Sequence, residues 1–255
     1  MFYGKMIDLK EEMKLNYTED FRIACKINNL KHEELIQYFI DHVSFYTFIG
    51  GEMGAVNQWA TKVCIDCKDL FGAVVEREND NEIRRISLKY IKKLTALSLE
   101  DEFTVEEKVL QSDDLIEQWS YEMLPLTNYK TEFATGEGEI LYLSFELNLL
   151  CKMNGVILEQ LLQCFIDSIS LSKERAVNLH EMVEINPGMA VLLLMLIGNN
   201  EVKNRIMPHQ DIYKKYGLKL LKLDKKQREE LNLQNRMDSY HSFYLEWYDA
   251  LNNLD

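Results

Sequence analysis

Residues 25–44 of the chain are CKINNLKHEELIQYFIDHVS, and residues 151–170 are CKMNGVILEQLLQCFIDSIS. The two stretches align without a gap at an offset of 126 residues, and ten of their twenty positions are identical. Unrelated stretches of this length would match at about one or two positions, so we interpret the two as copies of one repeated unit. A repeat of this kind predicts two similar lobes.

Weaker echoes extend the match beyond these stretches. Ala55-Val56-Asn57 recurs as Ala176-Val177-Asn178, and Trp119 has a counterpart in Trp247. Between the halves, residues 125–138 carry the turn-forming residues that are typical of a linker. The sequence therefore predicts three parts, a first repeat lobe over residues 1–128, a linker over 129–139 and a second repeat lobe over 140–255.

Hydrophobic spacing within each unit predicts a short β-strand followed by helices. Residues 21–28 and 141–154 alternate between apolar and polar positions, which is the period of a half-buried strand. A helix stays open as the alternative for residues 18–26, because that run is short. Apolar residues then recur at the helical period from Leu35 and from Leu161. The predicted fold is mainly α (α+β), with two duplicated, mostly helical lobes that each open with a short β-strand.

The order of strand, helix, turn and helix, met once in each half, resembles the ribbon-helix-helix DNA-binding fold of the MetJ and Arc repressors. The resemblance is carried by FRIACKINNLKHEELIQYFI (21–40) and LNLLCKMNGVILEQLLQCFI (147–166). In that fold two strands pair into an antiparallel ribbon that enters the major groove of DNA. Lysine suits phosphates, and asparagine suits adenine edges. The resemblance implies that the outward residues of the two strands contact DNA, namely Arg22, Lys26, Asn28, Asn148, Lys152 and Asn154.

A polar stripe follows the first shared helix and recurs on the second. Its members are separated by four, four and three residues, which puts them on one helix face. Because a solvated face need not keep four identities, the stripe indicates an interface between the units or a surface for a partner, with simple solvation as the alternative. The stripe consists of Glu33, Gln37, Asp41 and Ser44, with Glu159, Gln163, Asp167 and Ser170.

Charge is unevenly distributed along the chain. The net charge is −13, so the chain taken whole is repelled by nucleic acid and by anionic membranes. Residues 81–93 and 201–228 are nevertheless basic, whereas residues 100–117 are acidic. The basic stretches indicate either phosphate-binding faces or solvated helix faces that pair with the acidic stretch, and the second interpretation is favoured.

The sequence contains no recognisable catalytic or metal-binding motif. Its five histidines are scattered, and it lacks glycine-rich phosphate loops and the nucleophile elbow. Cys64-x-x-Cys67 lies within a helical pattern, where two cysteines on one face are more often core residues than a redox pair or metal ligands. Five cysteines in an acidic chain of 255 residues favour free thiols in a reducing cytoplasm. No cofactor and no metal are predicted.

These patterns together predict a cytoplasmic, non-enzymatic binding or regulatory protein. Its most specific version is a single-chain, ribbon-helix-helix-like DNA-binding regulator. The alternative is a protein–protein interaction or scaffold module with no role in nucleic-acid binding, and a cysteine-dependent enzyme ranks last. No membrane partner is predicted, because the longest apolar run, Met189–Ile197, is far shorter than the roughly 20 residues that span a bilayer.

Overall fold

A computed structural model describes residues 12–51, 53–71, 80–126, 131–179, 185–198, 204–205 and 209–254. These residues form a mainly helical fold. Among them, no single helix combines the length and the apolar composition needed to cross a membrane; only the helices Phe145–Asn154 and Leu158–Ser168 reach both together, as a pair bent by 107°. The helices are α1 (Glu19–Ile27), α2 (His32–His42), α3 (Phe45–Phe48), α4 (Ala55–Phe71), α5 (Asp80–Ser98), α6 (Val105–Met123), α7 (Phe145–Asn154), α8 (Leu158–Ser168), α9 (Leu171–Val177), α10 (Pro187–Gly198), α11 (Gln210–Gln227) and α12 (Leu233–Asn252).

The prediction of a mainly α fold is confirmed, but the strand predicted at the start of each unit is wrong. Most of the first predicted strand lies in α1, and most of the second lies in α7. The hydroxyl of Thr18 caps α1, and the hydroxyl of Ser144 caps α7. Both helices are buried over much of their circumference, so apolar residues occupy so many positions that a period of two fits as well as a period of 3.6.

A small sheet within the described residues consists of β1 (Glu12–Met13), β2 (Glu132–Thr135) and β3 (Ile140–Tyr142). β2 lies in the middle, parallel to β1 and antiparallel to β3. Residues of the predicted linker thus form a hairpin, which turns through Gly138 at a φ of +84°.

The main core contains residues from both halves. Phe39 of α2 and Phe165 of α8 stack face to face, with 4.2 Å between ring centroids and 8° between ring planes. The two residues are equivalent in the aligned stretches. Helices α4, α5, α6, α7 and α10 contribute further buried residues to this core. The halves therefore share one core and do not fold around separate ones.

A smaller apolar cluster surrounds α12. Trp247 stacks on Tyr216 of α11 at 5.4 Å between ring centroids. Ile23 and Ile27 of α1 are buried in the same cluster. The first helix of the first half is thus covered by the last helix of the second half.

A disulfide between Cys67 of α4 and Cys164 of α8 also joins the halves. The prediction that all five cysteines are free thiols is wrong for this pair. Cys25, Cys64 and Cys151 are free and buried, as small apolar side chains usually are. A spacing rule within one helix could not identify the pair, because its two members lie in helices from different halves.

Local structure recurs at the offset of 126 residues. Helices α1, α2 and α3 begin 126 residues before α7, α8 and α9, respectively. Leu30 donates its backbone NH to Cys25 at 2.9 Å, and Val156 donates to Cys151 at 3.0 Å. The intervening Asn29 also has a positive φ, +51°, like its counterpart Gly155.

The weaker sequence matches differ in whether the matched residues have similar structural positions. Ala55-Val56-Asn57 opens α4, whereas Ala176-Val177-Asn178 ends α9, so these triplets are not structural equivalents. Trp119 stacks on Tyr90 of α5 at 5.8 Å between centroids, as Trp247 stacks on Tyr216. Duplication of whole lobes stays a prediction.

Candidate functional site

The residues predicted to contact DNA lie on helices α1 and α7. Arg22 donates from Nε to the backbone oxygen of Tyr17 at 3.1 Å, and its guanidinium also pairs with Glu137. Asn28 donates to the backbone oxygen of Ala24 at 2.8 Å, within its own turn of chain. Lys26 is partly exposed on α1.

On α7, the outward orientation predicted for Asn148 is wrong. This residue is buried and donates to the backbone oxygen of Ser144 at 3.3 Å. Helical spacing turns it inward, whereas strand alternation would have turned it outward. Asn154 donates to the backbone oxygen of Leu150 at 2.9 Å. Lys152 is exposed. Because α1 and α7 are helical, the two predicted strands do not pair into a ribbon.

The centre of the predicted polar stripe makes a reciprocal contact between the halves. Gln37 accepts from the backbone NH of Tyr142 at 2.8 Å and donates to the backbone oxygen of Tyr142 at 2.9 Å. Gln163 makes the same two bonds with Asn16, at 2.8 and 2.9 Å. Each glutamine therefore holds the chain just before the first helix of the other half. We call these contacts the glutamine clamps.

The remaining members of the stripe have local roles. Asp41 and Asp167 each accept from the neighbouring clamp glutamine at 2.7 Å. Ser44 caps α3 and Ser170 caps α9, because each hydroxyl accepts a backbone NH of the first turn. Glu33 lies 3.6 Å from the Lys31 ammonium, and Glu159 is exposed.

A groove of about 330 Å³ lies between α2 and β3. Glu33, Glu34 and Asp41 line the helix side. Ile140 and Tyr142 line the strand side and are 43% and 60% exposed. We call it the acidic groove. Apolar side chains this exposed beside carboxylates have the chemistry of a surface that binds a partner.

One carboxylate of the groove is already neutralised within the chain. Glu34 accepts two hydrogen bonds from Arg205, at 2.8 and 2.9 Å. Partial burial raises the pKa of Glu34, but hydrogen bonds from Arg205 and from the backbone of Lys31 outweigh it, and the net pKa is lowered. Glu34 is thus held ionised by Arg205. Glu33 has only the longer, exposed contact with Lys31 at 3.6 Å, so Glu33 and Asp41 are the carboxylates that a basic partner would engage.

A second polar site lies where the β2–β3 turn meets the start of α2. The Nδ1 atom of His32 is 3.5 Å from Oε2 of Glu137 and 4.0 Å from Oε1 of Glu139. One candidate ligand atom from each residue lies within 4.8 Å of the others. We call these three residues the hairpin cluster. Histidine and carboxylate side chains that converge in this way are typical ligands of divalent transition metals.

Neighbouring side chains orient both carboxylates of the hairpin cluster. Thr135 donates to Oε2 of Glu139 at 2.9 Å, and the hydroxyl of Tyr17 donates to the same oxygen. Burial, reinforced by the bond to Glu139, raises the pKa of Tyr17 far above its usual value, so this hydroxyl stays protonated. The guanidinium of Arg22 donates a hydrogen bond to Oε1 of Glu137.

Sequence analysis did not find the hairpin cluster, because its members come from α2 and from the predicted linker. The only local signal is Gly136-Glu137-Gly138, a turn that carries one carboxylate and is followed directly by another, Glu139. A turn of this composition predicts a loop, but it does not indicate which helix the loop meets.

The described parts of the two basic stretches form exposed faces on α5 and α11; residues 201–203 and 206–208 lie outside the described residues. Lys89 of α5 pairs with Glu122 of α6, just beyond the acidic stretch. Lys219 of α11 pairs with Glu246 of α12 at 2.6 Å. Other lysines of α11 are exposed, namely Lys214, Lys215, Lys222, Lys225 and Lys226.

Comparison of the chain with protein-family models, curated proteins and solved structures finds no match. The functional inference therefore rests on the geometry of the sites described above.

Proposed function

We propose that this chain is a non-enzymatic protein-interaction module, whose acidic groove binds a basic, extended segment of another protein. The groove itself is the observation that supports this function. It places carboxylates of α2 opposite the exposed side chains of Ile140 and Tyr142. A segment that alternates basic and apolar residues would satisfy both walls at once, because successive side chains of an extended chain point in opposite directions.

Charge favours a basic partner over an acidic one. Glu33 and Asp41 line the groove, and the chain as a whole carries a net charge of −13. An exposed ion pair contributes only about 0.2–1 kcal/mol to binding. The carboxylates therefore select a positively charged partner but supply little of the affinity. Most of the affinity comes from burial of Ile140 and Tyr142, since aromatic and aliphatic anchors dominate such contacts.

The glutamine clamp limits how the partner is held. Gln37 already occupies both the NH and the carbonyl group of Tyr142. The outer edge of β3 is therefore closed to strand addition at this residue, although an exposed edge strand would otherwise favour such pairing. The partner is held mainly by its side chains.

Binding of a fluorescein-labelled peptide with alternating lysine and leucine tests the proposal by fluorescence anisotropy. The full chain should bind this peptide, and it should not bind the matching peptide of glutamate and leucine. Combining Glu33→Lys with Asp41→Lys should weaken binding by about tenfold, because two attractive charges become repulsive.

The matched control combines Glu159→Lys with Asp167→Lys at the equivalent positions of α8, which do not line the groove. This variant makes the same change in net charge and should bind the peptide like the unaltered chain. Equal loss in both variants would assign binding to net charge alone. That result, binding of the acidic peptide, or no binding of the basic peptide, would each overturn the proposal.

DNA binding is the second candidate, and the lysine face of α11 favours it. Five lysines of this helix are exposed although the chain is acidic. Lysines arranged along one helix suit contacts with phosphates, and each contact steepens the salt dependence of binding. On this interpretation, the DNA surface includes α11 as well as or in place of Lys26 and Lys152.

A mobility shift with double-stranded DNA at low and at physiological salt tests this candidate. Lys222→Glu with Lys225→Glu should abolish the shift if α11 binds DNA. Lys26→Glu with Lys152→Glu should abolish it if the residues on α1 and α7 that the sequence predicts bind DNA. Absence of a shift at low salt with the unaltered chain would rule against both DNA surfaces and leave the acidic groove as the proposed site.

A further inference from the structure

The hairpin cluster carries an inference that is independent of the acidic groove. We propose that His32, Glu137 and Glu139 bind a single divalent transition-metal ion, with Zn²⁺ as the best match. The ion would join the turn of the β2–β3 hairpin to the first turn of α2.

The positions of the three ligand atoms suit one ion. Oε2 of Glu137 and Oε1 of Glu139 lie 3.5 and 4.0 Å from Nδ1 of His32. Bonds of about 2.0–2.2 Å in a tetrahedral site separate neighbouring ligand atoms by roughly 3.4 Å. The distances of 3.5 and 4.0 Å from His32 are close to this spacing, and all three ligand atoms lie within 4.8 Å of one another. Rotation of the side chains would bring them to the spacing of a single ion. Three protein ligands leave at least one coordination position for water.

In each carboxylate of the hairpin cluster, one oxygen accepts hydrogen bonds from neighbouring side chains and the other faces His32, where it can bind an ion. Tyr17 and Thr135 donate to Oε2 of Glu139, so Oε1 is the oxygen that faces His32. Arg22 occupies Oε1 of Glu137, so Oε2 faces the same ring. Outer hydrogen bonds of this kind commonly orient metal ligands in proteins. Tyr17 is only 4% exposed, which makes its donation a fixed part of the fold.

The choice of ion follows from the donor set. One imidazole nitrogen and two carboxylate oxygens suit Zn²⁺ and related transition ions, whereas Mg²⁺ and Ca²⁺ prefer all-oxygen sites. The Arg22 guanidinium opposes the charge of any cation at this site.

His241 provides a matched control within the same chain. It also lies between two carboxylates, with Nε2 3.1 Å from Glu19 and Nδ1 3.0 Å from Asp20. Its contacts use opposite edges of the ring, so one ion cannot take all three side chains as ligands. A histidine that merely attracts cations through nearby acidic groups would behave like His241.

Isothermal titration of ZnCl₂ into the full chain, after removal of metal with EDTA, tests the proposal. One equivalent of Zn²⁺ should bind, and His32→Ala should weaken binding by about a hundredfold or more. Glu137→Gln, a change at a partly exposed side chain that spares the core, should weaken it by about tenfold or more. His241→Ala should bind like the unaltered chain.

Co²⁺ used in place of Zn²⁺ distinguishes this site from one made by cysteine. The free thiols of Cys25, Cys64 and Cys151 are buried, and a cobalt–thiolate bond would give an intense near-ultraviolet band. The proposal predicts a cobalt spectrum without that band. A thiolate band, no binding of Zn²⁺, or affinity unchanged by both His32→Ala and Glu137→Gln would each overturn the proposal. A peptide that fails to bind the acidic groove would leave it intact.

Discussion

The segments that open the two halves, residues 16–48 and 142–174, share one pair of matching contacts with each other but differ in other contacts. Gln37 and Gln163 hold the opposite half through the same pair of backbone hydrogen bonds. The equivalent residues Asp20 and Glu146 differ. Asp20 lies beside His241, whereas Glu146 accepts the backbone NH of Phe45 at the start of α3.

The difference arises from what packs against each first helix. α1 is covered by α12, and its Ile23 and Ile27 join the smaller apolar cluster. α7 packs against α5 and α6 in the main core. The identical residues Gln37 and Gln163 keep their contacts in both halves, whereas Asp20 and Glu146, which differ between the copies, have different partners. Four predictions test how far the equivalence extends.

The largest effect is expected at the aromatic stack. Phe39→Ala and Phe165→Ala should each lower the free energy of unfolding by about 3–5 kcal/mol, because each leaves a cavity in a fully buried site. Both residues are 0% exposed and each is half of the same stack. Urea unfolding of the two variants should therefore give equal losses within about 1 kcal/mol. A clearly unequal pair would show that the shared core is asymmetric.

The disulfide between Cys67 and Cys164 is the next largest contribution. It joins residues 97 positions apart, and bridges that close long loops typically contribute about 2–5 kcal/mol. Cys67→Ser should lower the unfolding temperature by as much as reduction of the unaltered chain, and a reductant should then have no further effect. Cys64→Ala, on the same helix, should leave the response to reductant unchanged. The position equivalent to Cys164 is Tyr38, so the equivalent positions cannot form a second disulfide.

The third prediction contrasts Glu146 with Asp20. Burial raises the pKa of Glu146 to about 7, against an ordinary value of 4.5, although the bond from Phe45 lowers it in part. Because the folded state binds this proton more tightly, the stability that this carboxyl group contributes is fully present below pH 4.5 and is lost as the pH rises through about 7. Glu146→Gln should therefore raise the free energy of unfolding at pH 8 by about 2–3 kcal/mol and change it little at pH 4.

The control for this prediction is Asp20→Asn at the equivalent position. Thermal unfolding of both variants from pH 4 to pH 8 gives the comparison. The Glu146→Gln benefit should grow as the pH rises, whereas Asp20→Asn, which removes a carboxylate 3.0 Å from His241, should not raise stability at any pH in this range. A benefit of Glu146→Gln that stays constant with pH would contradict the assignment of a buried, titrating carboxyl.

The smallest effect is expected at the glutamine clamps. Gln37→Leu and Gln163→Leu should each cost about 1 kcal/mol, since water can replace the lost bonds to the exposed backbone of Tyr142 and Asn16. Chemical denaturation of the single variants and of the double variant measures both the equality and the coupling of the two sites. Unequal single losses would mean that the two clamps differ in strength despite their matching geometry.

The candidate sites differ in how much of them the sequence predicts. The polar stripe was found because its spacing and its recurrence are both visible along the chain, and it includes Glu33 and Asp41 of the acidic groove. In the other wall of the groove, Tyr142 falls within the predicted strand over 141–154 and Ile140 directly precedes it, and nothing in the sequence links either residue to α2. His32 and Glu139 were not paired, since no spacing rule connects a helix start with a distant turn.

The helical character of the chain, the offset of 126 residues and the positions that the two halves share can be predicted from the sequence, because they depend on local composition and on identity along one chain. Whether residues 19–27 and 145–154 form strands or helices depends on tertiary contacts. In segments that are apolar at most positions, both periods bury similar side chains, and surrounding helices and hydroxyl caps select between them. Tertiary contacts also determine which side chain each carboxylate contacts, because these residues are distant in the sequence and only folding brings them together.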